Sequence, residues 1–70
     1  MSSDAKRIAD AIEITSRRWA APPSLEALAG EVGLSPAHFQ RLFKRMTGVS
    51  PKRFAQALAA DRAERMLTDA

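Results

Sequence analysis

Residues 36–47 carry their apolar side chains on one side of a helix. Four apolar residues of this segment fall at positions i, i+3, i+4 and i+7: Phe39, Leu42, Phe43 and Met46. That spacing places all four on a single helical face. Four other residues fall on the other side at the same spacing, three of them polar: Ala37, Gln40, Arg41 and Lys44. The pattern therefore predicts a helix with one packed face and one exposed face.

Serine, proline and glycine divide the chain into four predicted helices. Four serines are predicted N-caps: Ser3, Ser24, Ser35 and Ser50. Serine is favoured there because its side-chain oxygen accepts from a free backbone N–H. Pro36 and Pro51 suit the first helical position, and Gly33 and Gly48 suit the left-handed residue that closes a helix. The predicted helices span residues 4–19, 25–32, 36–47 and 51–67.

The first and fourth helices differ in the quality of their apolar patterns. The first carries a regular stripe: Ile8, Ile12, Thr15 and Trp19. We interpret Trp19 as an anchor at the core or its edge, with contact to a neighbouring domain as the alternative. The stripe of the fourth helix is interrupted by Asp61 and Arg62. We therefore expect that helix to be only partly buried, with last turns that suit packing against another element.

The second and third predicted helices form a helix-turn-helix. Only about three residues separate them, so the two helices are expected to cross steeply. Ala29 is small enough for close approach, and Gly33 tolerates a positive φ in the turn. The predicted core of the motif is Leu28, Val32, Leu34, Phe39 and Leu42. The fold class is all-α, a small four-helix domain that contains a helix-turn-helix and ends in a linker helix; a plain helical bundle is the alternative.

Positive charge is concentrated in the middle of the chain. Between Glu31 and Asp61 there is no acidic residue. The same segment contains five basic residues: Arg41, Lys44, Arg45, Lys52 and Arg53. Basic charge confined to one helix and its flanks is typical of a surface that binds a polyanion such as DNA. The alternative is a basic face that is merely solvated.

Several classes of chemistry are disfavoured by the composition. Seventy residues make one small domain with a limited core. The absence of cysteine excludes disulfides, thiolate zinc sites and a cysteine nucleophile, and a single histidine, His38, cannot form a metal site. The glutamates show no pairing suited to acid-base catalysis. We therefore predict no catalytic, metal or cofactor site, no membrane span and a cytoplasmic location.

The segment SLEALAGEVGLSPAHFQRLFKRMTGVSPKRF carries a resemblance to a known family. It resembles the helix-turn-helix of AraC-type bacterial transcription regulators, whose pattern contains a GLS turn, an RLFK core, a glycine, and SP before an aromatic residue. HFQRLFK followed by TGVSPKRF is most similar to the domain of Ada-type regulators, which are fused to a methylated-DNA cysteine methyltransferase. The resemblance extends from about Leu25 to Leu67.

The resemblance implies that the third helix enters the major groove. The residues it places against bases are Ala37, His38, Gln40 and Arg41. Those it places against phosphates are Ser35, Lys44, Arg45, Ser50, Lys52 and Arg53. Arg41 can donate two hydrogen bonds to guanine, and Gln40 can pair with adenine. Two positions depart from the family: Ala37 is small and reaches at most a thymine methyl, and Ala59 stands where arginine is usual.

Three functions follow as hypotheses. The first is sequence-specific binding of double-stranded DNA in transcription regulation, with a link to the alkylation-damage response. The second is the DNA-binding part of an alkyl-transfer repair protein whose methyltransferase domain lies outside this chain. The third is a protein-binding helical module. The expected partners are double-stranded DNA, RNA polymerase and a fused second domain. The fused domain is expected because the chain resembles one part of longer proteins. The chain itself is not expected to be an enzyme.

Overall fold

The computed structural model describes residues 3–68, which contain four α-helices and no strand. The helices are α1 (Asp4–Arg17), α2 (Leu25–Glu31), α3 (Pro36–Thr47) and α4 (Pro51–Thr68). The predicted all-α, four-helix class is confirmed.

Each helix begins with a serine N-cap. The Oγ atoms of Ser3, Ser24 and Ser35 accept from the backbone N–H three residues later at 3.1, 3.1 and 3.2 Å. Ser50 Oγ accepts from the N–H of Arg53 at 3.2 Å. Each bond satisfies a backbone donor that the first turn of a helix cannot pair internally.

The end of α1 was predicted too far along the chain. The sequence pattern placed it at Trp19, whereas the helix ends at Arg17. Arg18 leaves the helical conformation, with φ −113° and ψ 37°, and its N–H donates to the carbonyl of Ile14 at 3.1 Å. Pro22 lacks the backbone N–H that a helix interior needs, so the helix has to end before it. Trp19 consequently lies beyond α1, half-buried.

Buried side chains from the first three helices form one core. The fully buried apolar residues are Ile8, Ala11, Leu28, Ala29, Phe39, Leu42 and Phe43. The ring of Phe43 lies 5.7 Å from that of Phe39 and 5.6 Å from that of Phe54 on α4. These aromatic contacts join α4 to α3. The third helix is thus held through its apolar face.

Met46 was predicted to belong to this core, and that prediction is wrong. Its side chain is 45% exposed. It lies in the last turn of α3, beyond Phe43, the last fully buried position of the helix. In this region Thr47 and Val49 are the half-buried residues instead. The helical spacing of Met46 is correct, but the core does not extend far enough to cover it.

The turn between α2 and α3 has the geometry that its glycine allows. Gly33 has a φ of 76°, and its N–H donates to the carbonyl of Gly30 at 3.1 Å. Leu34 N–H donates to the carbonyl of Ala29 at 2.9 Å. Together these bonds form a Schellman motif, which closes a helix through a left-handed residue. Gly48 closes α3 with a φ of 89°, so both glycine predictions are confirmed.

Candidate nucleic-acid interface

One side of α3 projects into solvent. Its exposed residues include all four predicted to face bases and two predicted to hold phosphates: Ala37, His38, Gln40, Arg41, Lys44 and Arg45. The opposite side is fixed by Phe39, Leu42 and Phe43, each at most 1% exposed. Burial of large apolar side chains on one face therefore determines which polar side chains point outwards.

The length of this exposed face suits a short stretch of duplex. Ala37 and Lys44 lie seven residues apart, which is about 10 Å at 1.5 Å per residue. Successive bases of one DNA strand are about 3.4 Å apart. Side chains between these two positions can thus reach about three successive base pairs.

The remaining predicted phosphate contacts lie at helix starts. Ser35 precedes α3, and Ser50, Lys52 and Arg53 surround the first turn of α4. Both serine hydroxyls accept a backbone hydrogen bond as N-caps, and a hydroxyl in that role can still donate its proton. Lys52 and Arg53 are exposed, while Ser50 is half-buried. Helix starts favour anions because their free N–H groups carry partial positive charge.

The basic charge of this region is not neutralised by carboxylates of the described chain. Ion pairs among residues 3–68 join Lys6 to Asp10, Arg17 to Glu13, and Arg65 to Asp61. All three pairs lie on α1 or in the C-terminal half of α4. The five basic residues of the central segment take part in none of them. Their positive potential is therefore available to a polyanion.

Arg7 of α1 is hydrogen-bonded to the turn of the helix-turn-helix, a contact that the sequence pattern did not indicate. Its Nη1 atom donates to the carbonyl of Val32 at 3.1 Å and to that of Gly33 at 3.0 Å. These carbonyls lie where α2 ends, so the guanidinium also complements the negative end of the helix dipole. The partner atoms belong to the backbone, which every residue has. No residue-type pattern could have identified the contact.

The side chain of Thr47 organises the second turn, between α3 and α4. Its Oγ1 lies 2.8 Å from the carbonyl oxygen of Phe43 and 3.0 Å from that of Val49. The same oxygen accepts from the N–H of Val49 at 3.3 Å. These contacts hold the short connection in one conformation. The start of α4, with its basic residues, is thereby fixed relative to α3.

Gln40 and Lys52 also line a cavity that the sequence did not predict. Its volume is about 450 Å³, and its lining comes from the end of α1, the following loop, α2, α3 and the first half of α4. Trp19 and Ala59 both contribute to the lining. Ala59 is the position at which the family resemblance leads us to expect an arginine. A small side chain there leaves this space open.

Comparisons with known proteins give one family and one similar relative. A family model described as a helix-turn-helix domain matches residues 28–70. The "Bifunctional transcriptional activator/DNA repair enzyme Ada" of Escherichia coli (strain K12) is 54% identical over 41 residues, which are 59% of this chain and 12% of that protein. The resemblance predicted from the sequence is thus confirmed, over a small part of the relative's length. No solved structure matches significantly.

Among the described residues, no helix is both long and apolar enough to cross a bilayer.

Proposed function

The chain belongs to the AraC-type helix-turn-helix family of DNA-binding transcription regulators, and we propose on that premise that it recognises a specific sequence in double-stranded DNA. In this proposal α3 lies in the major groove, which is wide enough to admit a helix. The start of α4 lies over the adjacent backbone.

The exposed face of α3 is the observation that supports this proposal most directly. It combines a guanidinium, an amide and a lysine on a helix whose other face is buried through Phe39, Leu42 and Phe43. Its basic residues have no carboxylate partner among residues 3–68. A surface with these properties can attract phosphates and pair with base edges at the same time.

The proposed roles divide the residues into two groups. Arg41 donates two hydrogen bonds to a guanine, Gln40 pairs with an adenine, and Ala37 and His38 complete the surface that faces the bases. The second group binds phosphates: Ser35, Lys44, Arg45, Ser50, Lys52 and Arg53. This group sets the position of α3 on the duplex but contributes little sequence information.

Selection of bound duplexes from a random pool, at two salt concentrations, tests the proposal. We expect an enriched motif of a few base pairs and an affinity that falls steeply as salt rises. Replacing Arg41 with alanine should erase part of the motif. Replacing Arg17, an exposed arginine of α1 paired with Glu13, should leave it unchanged. Binding without any enriched motif would contradict sequence-specific recognition, and absence of binding would contradict the whole proposal.

A second candidate function follows from the relative that the chain resembles. The name of that protein includes DNA repair, and a link of this chain to the alkylation-damage response is the finer form of our proposal. Alkyl transfer to a protein requires an acceptor thiolate. This chain contains no cysteine, so its own part would be limited to binding DNA.

The whole protein encoded by the natural gene is the appropriate sample for testing this second candidate. Incubation with DNA that carries radiolabelled methyl groups should transfer label to the protein if a methyltransferase accompanies the domain. The Arg41→Ala substitution should leave transfer to a short random duplex unchanged, because the reaction would occur on another domain. Failure to label the whole protein would contradict the link to alkyl transfer without affecting DNA recognition.

A further inference from the structure

The cavity between the four helices has the size of a ligand site. Its volume of about 450 Å³ lies within the range of about 300 to 1,000 Å³ typical of pockets that bind small molecules. Buried side chains form part of its lining, among them Thr15 and Leu28 at 2% and 5% exposure. The cavity is therefore partly bounded by the fixed core of the domain.

Most of the lining is apolar. Trp19 is half-buried beyond the end of α1, and Pro22, Pro23 and Leu25 lie close to it in sequence and line the same space. An indole and proline rings present broad apolar surfaces, which a hydrocarbon or aromatic body can contact favourably. The occupant should therefore have a substantial apolar part.

The polar groups of the lining indicate which charge the polar end of a bound molecule should carry. Lys52 is its one ionisable side chain among the described residues, and no carboxylate lines the cavity there. Gln40 and Gln56 contribute neutral amides. The Thr15 hydroxyl already donates to the carbonyl of Ala11 at 2.8 Å. Lys52 also lies in the first turn of α4, where the helix dipole adds positive potential. An anionic head group fits this charge distribution better than a cationic one.

We infer that the cavity binds an apolar carboxylate, with its body against Trp19 and Leu25 and its carboxylate beside Lys52. The site has a regulatory consequence that rests on the proposed function. Gln40 and Lys52 belong both to the cavity lining and to the proposed DNA surface. Bound carboxylate and bound DNA therefore compete for the same side chains, so each weakens the binding of the other.

Trp19 provides the direct test, because it is the single tryptophan of the chain. Decanoate, kept below its micelle concentration, is titrated into the 70-residue protein without DNA while indole fluorescence is recorded. We expect a saturable change. Decyltrimethylammonium, which has the same tail length and the opposite charge, should bind at least about threefold more weakly, as for an exposed ion pair. A change that does not saturate, or equal affinity for the two compounds, would overturn the inference.

Matched variants locate the site. Lys52→Gln should weaken decanoate binding about threefold, whereas Arg18→Gln, which removes the same charge beside Trp19 but outside the lining, should not. Ala59→Leu narrows the cavity and should weaken binding, whereas Ala63→Leu, one turn further along α4 and exposed, should preserve it. Circular dichroism checks that each variant is folded. If Ala59→Leu unfolds the domain, Lys52→Gln still tests the site, because Lys52 is exposed and its replacement leaves the core unchanged. Equal effects within either pair would contradict the assigned site.

The competition is measured separately, on a random-sequence duplex. Saturating decanoate should raise the Kd for DNA about threefold in the unaltered chain, because an exposed Lys52 ion pair is engaged elsewhere, and should have a smaller effect in Ala59→Leu. An unchanged Kd in the unaltered chain would overturn the competition. The fluorescence titration contains no DNA, so a failure of the proposed DNA binding would be distinguishable from a failure of the cavity site.

Discussion

Arg41 and Lys44 lie one turn apart on the exposed face of α3, yet the proposal gives them different tasks. Arg41 lies near the middle of the helix, where a planar guanidinium can pair with two acceptors of one base. Lys44 lies in the last turn, and its ammonium acts as a compact charge towards phosphate. Arg41 and Lys44 should therefore differ more in what they contribute to sequence selectivity than in what they contribute to total DNA affinity.

Arg41→Ala should reduce the preference for a selected site over random duplex by about 1–3 kcal/mol, because a bidentate base contact is lost. Fluorescence anisotropy with both duplexes at one salt concentration measures the difference. Arg17→Ala is the charge-matched control and should leave the preference unchanged. Equal losses on both duplexes would show that Arg41 contacts only phosphate.

Lys44→Ala should weaken binding to both duplexes by a similar factor, because a phosphate contact reads no sequence. The slope of log affinity against log salt concentration should fall in magnitude by about 1. The measurement is a salt titration of both proteins on the same duplex. A slope identical to that of the unaltered chain would remove Lys44 from the phosphate contacts.

At the scale of secondary-structure elements, α1 helps to hold α3 in place by contacting the turn that precedes it. Its Arg7 is hydrogen-bonded to two carbonyls of the turn between α2 and α3. An added Cβ on Gly33 would lie 3.4 Å from Arg7 Nη1. The turn and the guanidinium are thus in close contact. The orientation of α3 depends on a residue from another helix.

Arg7→Met should lower the free energy of unfolding by about 1–2 kcal/mol, since charge-assisted hydrogen bonds to backbone carbonyls are lost while the apolar stem is retained. Urea denaturation followed by circular dichroism measures this. Lys6→Met, at the exposed neighbouring position with a single surface ion pair to Asp10, should cost less than about 0.5 kcal/mol. Equal losses of unfolding free energy in the two variants would mean that the Arg7 hydrogen bonds stabilise the domain no more than a surface ion pair does.

The elements themselves could be predicted from sequence to a large extent, because their signals are local. A serine followed by proline marks the starts of α3 and α4, and the glycines at positions 33 and 48 mark the ends of α2 and α3 with the φ values expected. The wrong prediction that Met46 is buried does not come from a local signal. Periodicity gives the face on which a side chain lies, but burial depends on whether another element covers it. The Arg7 contact and the cavity were missed for the same reason, since both arise from tertiary arrangement.

At the scale of the whole molecule, α4 is the least integrated helix. Met66 and Leu67 are 64% and 81% exposed, and nearly all residues from 61 to 68 are exposed. We expect backbone amides from Arg62 to Leu67 to exchange with solvent faster than those from Leu42 to Met46, because local opening there breaks few buried contacts. Hydrogen exchange followed by NMR measures both segments in one sample. Equal protection would show that the end of α4 opens only with the rest of the domain.

The shape of α4 also determines how the domain rotates in solution. An 18-residue helix is about 27 Å long, whereas the two shorter dimensions of the molecule are 21 and 20 Å and the longest is 44 Å. The helix is longer than either short dimension, so an orientation broadly along the longest dimension accommodates it best. An elongated body tumbles end over end more slowly than it spins about its long axis, and helical N–H bonds point along the helix. Nitrogen relaxation in the well-packed first half of α4 should therefore report a longer apparent correlation time than amides directed across the molecule, an effect of shape that could be mistaken for chemical exchange.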